Sequence, residues 1–300
     1  MSGTSTTGSK NRDWGQRLFV LLQYCLPKYA LTALVYRLTR IRHVAFKNWI
    51  IRQFVKLYDV AIDEVAGEVP DDFACFNDFF IRELAPGERQ LTSDSRAVAC
   101  PVDGTVSQAG RLQAGTILQA KGHNYTLKSL LATDVEDARQ FADGVFATLY
   151  LAPYNYHRVH APLDGTLVSL HYVPGTLFSV NQATATHIPE LFARNERLVC
   201  RFETAAGPML LVFVGALNVG SISTPWTGEI RPRHRGLVES LPIDQSAAGS
   251  RVKMGDLLGW FNMGSTVIVV LPDAEWHDSL RPGNTVRMGE SIGTLQSGDA

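Results

Sequence analysis

The chain has 300 residues, of which 45% are hydrophobic and 19% charged, enough apolar material for a real core and too little charge for a disordered polyelectrolyte. Its net charge of −1 hides a division: residues 1–58 hold ten Lys or Arg against one acid, Asp13, so the remainder is acidic. A basic segment on an acidic body suits a negatively charged partner; with no nucleic-acid recognition motif present, the expected partner is an anionic membrane surface and not nucleic acid. Cys25, Cys75, Cys100 and Cys200 are scattered, with no CxxC pair and no secretory signal before them, which points to reduced thiols in a cytosolic compartment and away from disulfide or metal frameworks.

Residues 1–13 read as a disordered tail, the first eleven being small and polar. Residues 14–69 read as a basic, amphipathic helical region for membrane association. Trp14, Leu18, Leu21, Leu22 and Cys25 fall at helical spacing and stop before Pro27. Leu31, Leu34, Val35, Leu38 and Ile41 form a second stripe, and Phe46, Trp49, Ile50, Phe54 and Leu57 a third, with Lys47, Arg52 and Lys56 on other faces. The longest uncharged stretch among them, Leu18 to Pro27, falls far short of the roughly twenty residues a bilayer span needs. Two readings of this pattern stand side by side: helices lying in a membrane interface, or a helical cap with a solvated basic face.

Residues 70–300 read as a β-rich domain. Asp71–Arg82 (DDFACFNDFFIR) opens it as a helical connector. Beyond Leu91, short apolar runs such as VFATLYLAP and TVIVVLP are split by glycine turns, an antiparallel β pattern broken by helices near Leu127–Ala132 and Ile188–Asn195. PVDGTV from Pro101 and PLDGTL from Pro162 repeat the same Asp-Gly turn, where glycine tolerates positive φ and aspartate caps the turn. The fold class expected is therefore α+β, with a barrel- or sandwich-like domain, as biotinyl-type domains use, behind amphipathic helices.

Two stretches carry candidate chemistry. In WFNMGSTVIVVLP, Gly264 and Ser265 form a turn that feeds directly into a buried strand, Val267 to Leu271. In LAPYNYHRVHAP, His157 and His160 share a face if the segment is helical and face opposite ways if it is a strand. Ser265 needs a base to become a nucleophile, and a histidine base works best when a carboxylate such as Asp103 orients it. That set also fits a Ser-His-Asp hydrolase, although no G-x-S-x-G elbow is present. The serine's nearest acyl group is its own neighbour, the carbonyl of Gly264, which has no Cβ to hinder approach. A non-catalytic lipid-binding module remains a third reading.

Taken together, FNDFFIREL (Phe76–Leu84), CPVDGTV (Cys100–Val106), YHRVHAP (Tyr156–Pro162), LFSVN (Leu177–Asn181), ELFARNERLV (Glu190–Val199), VGALNVGSI (Val214–Ile222) and GSTVIVV (Gly264–Val270) are ordered as in a known family. The chain resembles the phosphatidylserine decarboxylases, pyruvoyl enzymes made by self-cleavage. The resemblance implies a processing triad of Asp103, His160 and Ser265: His160, oriented by Asp103, deprotonates Ser265, whose oxygen attacks the Gly264 carbonyl and turns the peptide into an ester. β-Elimination then releases a β chain, residues 1–264, and the dehydroalanine left at 265 hydrolyses to a covalent pyruvoyl group heading an α chain, residues 265–300. The resemblance further implies that phosphatidylserine forms a Schiff base with the pyruvoyl, whose carbonyl takes up the electrons left by departing carbon dioxide, and that phosphatidylethanolamine is released. It assigns His157 to decarboxylation or reprotonation, no metal, and an α/β heterodimer that dimerises further on the cytoplasmic face of the bacterial inner membrane, as a peripheral protein. Met263 stands where leucine is commoner; the two are similar in volume, so processing is expected to survive. Asp164 repeats the Asp-Gly turn without matching the triad and keeps a turn role.

Overall fold

A computed structural model describes residues 6–120, 122–133, 135–218, 220–233, 236–244 and 247–296. Three helices lead the chain: α1 (Thr6–Cys25), α2 (Lys28–Thr39) and α3 (Val44–Tyr58). They follow the three apolar stripes. Pro27, which has no N–H to donate, separates the first two, and their axes turn by 89°. Among the described residues no single helix is long and apolar enough to cross a membrane. α1 begins at Thr6, inside the segment expected to be a disordered tail, while residues 1–5 lie outside the described residues. Once Trp14–Cys25 is helical, adding polar residues at its start costs far less than nucleating a new helix, so composition misjudges the boundary. Much of the apolar surface of these helices stays in solvent, with Trp14 76% and Leu57 75% exposed.

The expected connector shrinks to one short helix, α4 (Phe76–Phe80), preceded by turns. Four phenylalanines explain why it sits where it does. Phe54 of α3 meets Phe76, Phe79 and Phe80 edge-on at centroid distances of 5.1, 6.3 and 6.0 Å. With Ile51, Val60, Val65 and Phe73 they make a second, smaller core that fastens α3 to the rest of the chain.

The β strands that position the site are β1 (Gly104–Arg111), β2 (Val145–Leu151), β3 (Arg158–His160), β4 (Gly165–Val173), β5 (Arg197–Thr204), β6 (Gly207–Val214), β7 (Ile222–Thr224), β8 (Leu257–Phe261) and β9 (Ser265–Leu271). The large sheet runs β4-β5-β6-β9-β2-β1, with short strands at 239–240 and 251–252 on one edge and 285–286 on the other. Its ladders are antiparallel, as the alternating pattern predicted. The order is open, since the edge strands do not pair with each other, so a closed barrel gives way to packed sheets. A smaller sheet containing β7, β8 and β3 lies against the large one, bringing Phe261 to 5.3 Å from Phe213 of β6. β9 is central, buried at every residue, and paired with β2 on one side and β6 on the other.

Smaller departures are informative. Gly104 and Gly165, read as turn glycines with positive φ, do not adopt it. A Cβ at Gly104 would stand 2.5 Å from the Tyr150 carbonyl oxygen, and one at Gly165 would stand 3.0 Å from that of Glu203. Close strand approach, not handedness, requires glycine there. Helices at Leu127–Leu131 and Leu191–Arg194 fall where expected. Gln182–His187 is an unforeseen helix, started by Asn181, whose side-chain oxygen accepts the Thr184 N–H at 3.1 Å.

Candidate active site

The turn between β8 and β9 is held by its asparagine. Asn262 is buried, and its amide donates to the Ser221 Oγ (2.7 Å) and the Ser223 Oγ (3.2 Å). Its side-chain oxygen accepts from the Asn77 amide of α4 at 3.0 Å, and its backbone N–H donates to the Ser221 carbonyl. Met263 packs on the phenylalanine cluster. Ser265 follows as the first residue of β9, opposite Leu151, with 0% exposure and an Oγ that has no hydrogen-bond partner. A hydroxyl left dry and unpaired costs about 1–3 kcal/mol, so a fold that keeps one there has a reason beyond stability.

His157 lies beside this turn. An ideal Cβ on Gly264 would be 3.5 Å from the Leu151 carbonyl oxygen and 3.8 Å from the His157 Cε1. The His157 Nε2 donates to the Ala152 carbonyl at 3.1 Å, which leaves Nδ1 as a bare lone pair, buried and unpartnered. Phe80 of α4 stacks on the ring at 4.2 Å. Burial first, and the nearby Arg82 charge second, push its pKa down to about 3, so the imidazole is neutral at physiological pH. Arg82 also donates to the carbonyls of Tyr154 (2.8 Å) and Asn155 (3.3 Å), fixing the loop that carries His157.

His160 faces elsewhere. The segment is a strand, so the two histidines point to opposite sides, one of the two arrangements the spacing allowed. The His160 Nδ1 donates to the Gly255 carbonyl (2.7 Å) and its Nε2 accepts from the Tyr156 hydroxyl (2.9 Å). Burial lowers its pKa, with the Asp103 carboxylate pulling the other way. That carboxylate takes the Arg89 Nε (2.9 Å) and Nη2 and the Met288 N–H (2.8 Å); Arg89 in turn holds Glu64 at 2.7 Å. Asp103 and Tyr156 border one polar cavity of about 280 Å³. Among the described residues Asp103 makes no hydrogen bond to His160, nor His160 to Ser265. The structure groups Asp103, Tyr156 and His160 on one side, and His157, Gly264 and Ser265 on the other. Both groups sit at the same end of β2, because Thr105 pairs with Tyr150 while Ser265 pairs with Leu151. Asp164 accepts the Met254 N–H at 2.7 Å in an outer turn, as its turn role requires.

A second cavity of about 190 Å³ reaches Gly264 itself. Phe54 and Tyr58 of α3, Phe80, Tyr150, Ser179, Asn218 and Met263 are among its lining residues. The phosphatidylserine decarboxylase family model matches residues 76–294, and a model described as PSD matches residues 18–59. The chain belongs to the phosphatidylserine decarboxylase family. Relatives named phosphatidylserine decarboxylase proenzyme include one from Methylococcus capsulatus, 45% identical across 93% of this chain and 97% of its own length. One from Ectopseudomonas mendocina is 45% identical across 94% and 99%, and one from Legionella pneumophila 42% across 93% and 98%.

Among phosphatidylserine decarboxylase motifs, those quoted from the sequence supplied the histidines, Asp103 and the Gly-Ser pair. Missed were Asn262, Asn77, Phe80, Arg82, Arg89 and Tyr156. The available signal was polar residues set among apolar ones, Asn77 in FNDFF and Asn262 in WFNM, which a core accepts only when they are bonded.

Proposed function

We propose that the chain is a phosphatidylserine decarboxylase made as a proenzyme that cuts itself between Gly264 and Ser265, and that it converts phosphatidylserine to phosphatidylethanolamine and carbon dioxide. The observation that carries this is the buried, unpartnered Ser265 Oγ at the head of a central strand, beside a neutral imidazole, in a chain of this family. A hydrolase would need its serine open to an outside acyl group; this one is closed to solvent.

In maturation, the Ser265 Oγ gives up its proton and attacks the Gly264 carbonyl carbon; the C–N bond breaks and an ester joins the two segments. Elimination across the Ser265 Cα–Cβ bond then expels the Gly264 carboxylate, and hydrolysis of the dehydroalanine releases ammonia and leaves a pyruvoyl group. Asp103 and His160 act as the base pair in this step, a reading supported by the match of their motifs to the family. A second reading, with His157 as the base, is favoured by its ring lying 3.8 Å from where a Cβ on Gly264 would stand and by its Nδ1 lone pair without a partner.

The surroundings of residue 265 fit a small dicarbonyl group, since the buried Ser265 Oγ holds no hydrogen bond that its conversion to a carbonyl group would break. When present, such a group supplies the electron sink that decarboxylation of an amino acid requires. The chain's own residues do the rest. Phe54, Tyr58, Phe80 and Met263 exclude water around the substrate carboxylate, and Ser179 and Asn218 offer polar contacts to the head group. His157 relays a proton to the carbon that has lost carbon dioxide. The two chains stay together as an α/β heterodimer, which dimerises further. The exposed apolar residues of α1 to α3 and the exposed basic side chains of Arg17, Arg42, Arg52 and Lys56 seat the enzyme peripherally on an anionic membrane, at the cytoplasmic face of the bacterial inner membrane. Lys47, read from the sequence as part of the basic face, is instead buried, with its Nζ donating to the Pro70 carbonyl.

Intact mass and denaturing electrophoresis test the proposal. A chain that remains a single 33.0 kDa species refutes self-cleavage. Ser265→Ala is expected to abolish cleavage and carbon dioxide release together. His157→Ala is expected to cleave yet decarboxylate poorly; an uncleaved product favours the second reading.

A further inference from the structure

The helices with exposed apolar faces also turn buried polar side chains inward. Gln23 of α1 is 1% exposed, and its side-chain oxygen accepts the Ser179 backbone N–H at 2.8 Å. Thr32 of α2 is 3% exposed, and its Oγ1 accepts the Asn218 backbone N–H at 3.2 Å. Ser179 and Asn218 stand on two separate loops, and both line the cavity that ends at Gly264. Asn218 takes φ +68°, the left-handed conformation that asparagine tolerates better than other residues with a Cβ, and its N–H is the group that Thr32 holds. Around Gln23 the contact is extended by Tyr24, edge-on to Phe178 at 5.0 Å. The third helix enters the cavity directly through Phe54 and Tyr58.

A polar side chain on a helix that served only as a membrane anchor would have no cause to be buried, and desolvating it unbonded is unfavourable. We infer that Gln23 and Thr32 are positioning residues for the catalytic pocket: through one hydrogen bond each, α1 and α2 fix the two loops that form the head-group wall. The helices that meet lipid thereby shape the site that receives the lipid's head group. This inference rests on the decarboxylase reading and adds to it a role for the helices that is independent of membrane binding.

The test uses full-length, self-cleaved protein and a short-chain phosphatidylserine, dihexanoyl, kept below its micelle concentration, so that membrane docking drops out. Gln23→Leu and Thr32→Val remove the acceptors while keeping volume, and Thr32→Ser keeps its hydroxyl. Loss of one buried acceptor is expected to raise KM for the monomeric lipid about tenfold, with kcat within about twofold and with Thr32→Ser restoring KM. Wild-type kinetics on monomeric lipid from both Gln23→Leu and Thr32→Val, with losses confined to vesicles, overturn the inference. If Gln23→Leu fails to fold, the Thr32→Val and Thr32→Ser pair decides alone. A cleaved wild type that releases no carbon dioxide overturns the decarboxylase reading itself, and this inference with it.

Discussion

Replacing Gly264 with alanine separates what the fold needs from what the chemistry needs. Gly264 does not have a positive φ, and an added Cβ meets the Leu151 carbonyl oxygen at 3.5 Å and the His157 Cε1 at 3.8 Å, both ordinary contacts. The methyl group therefore neither clashes nor strains the backbone. By restricting the unfolded chain it is expected to raise stability by ~0.4–1 kcal/mol. Cleavage should respond in the opposite direction. The carbonyl carbon that Ser265 attacks in the proposed cleavage is bonded to this Cα, and a Cβ narrows the backbone rotations through which oxygen and carbon can meet; misplacement by about 1 Å costs ~10²-fold. Stability is measured by urea unfolding in a Ser265→Ala background, so that both chains stay intact, and cleavage by following the appearance of the fragments on denaturing gels. A stability loss above ~2 kcal/mol would show that the turn itself needs glycine, and cleavage at the wild-type rate would show that the missing side chain is irrelevant to the chemistry.

Asn262→Ala strips the turn of its side-chain bonds to Asn77, Ser221 and Ser223 and leaves their polar atoms buried. A destabilisation of ~2–3 kcal/mol with slower self-cleavage is expected, and unchanged values for both would remove this asparagine from the site. Glu196 is buried, with its carboxylate accepting only from Tyr172 among the described residues, and burial lifts its pKa from 4.5 to about 7. Below pH 4.5 folded and unfolded forms are both protonated; between 4.5 and 7 only the folded form keeps its proton, so stability falls as pH rises. Glu196→Gln should therefore stabilise by ~3 kcal/mol at pH 8 and hardly at all at pH 4, and an equal gain in urea titrations at both values refutes this. Binding to anionic vesicles should weaken with added salt and with Trp49→Ser or Leu57→Ser in sedimentation assays; indifference to salt and to both substitutions argues against the interfacial helices.

The sequence was readable where structure depends on near neighbours. The stripes of α1 to α3 and the run Val267–Leu271 define their own elements, because a helix face and a buried strand are local patterns. The quoted motifs located Asp103, both histidines and the Gly-Ser pair. What they could not show is which side chains meet across long separations. Nothing near Asn262 announces Asn77 as its partner, nor does VDGT announce that Arg89 holds its aspartate. The environments of the histidines were equally hidden: the segment's strand geometry sends His157 to Phe80 and Gly264 and His160 to Tyr156. The glycines of the two DGT turns were correctly marked as special, but their reason, contact with an adjacent strand, exists only once the sheet is assembled.

The place of β9 in the sheet also orders events in time. Ser265 reaches its place only after β9 has been laid between β2 and β6, the most sequence-distant pairings of the large sheet's centre, so under the proposed self-cleavage an unfinished chain has no means of cutting itself. A break after Gly264 then leaves a fragment whose first residues are clasped by ladders on both flanks, and freeing it means tearing open the middle of the sheet. The proposed maturation would thus be a checkpoint that works as a ratchet: only correctly assembled molecules pass it, none returns to the intact chain, and activity becomes a record that folding was completed.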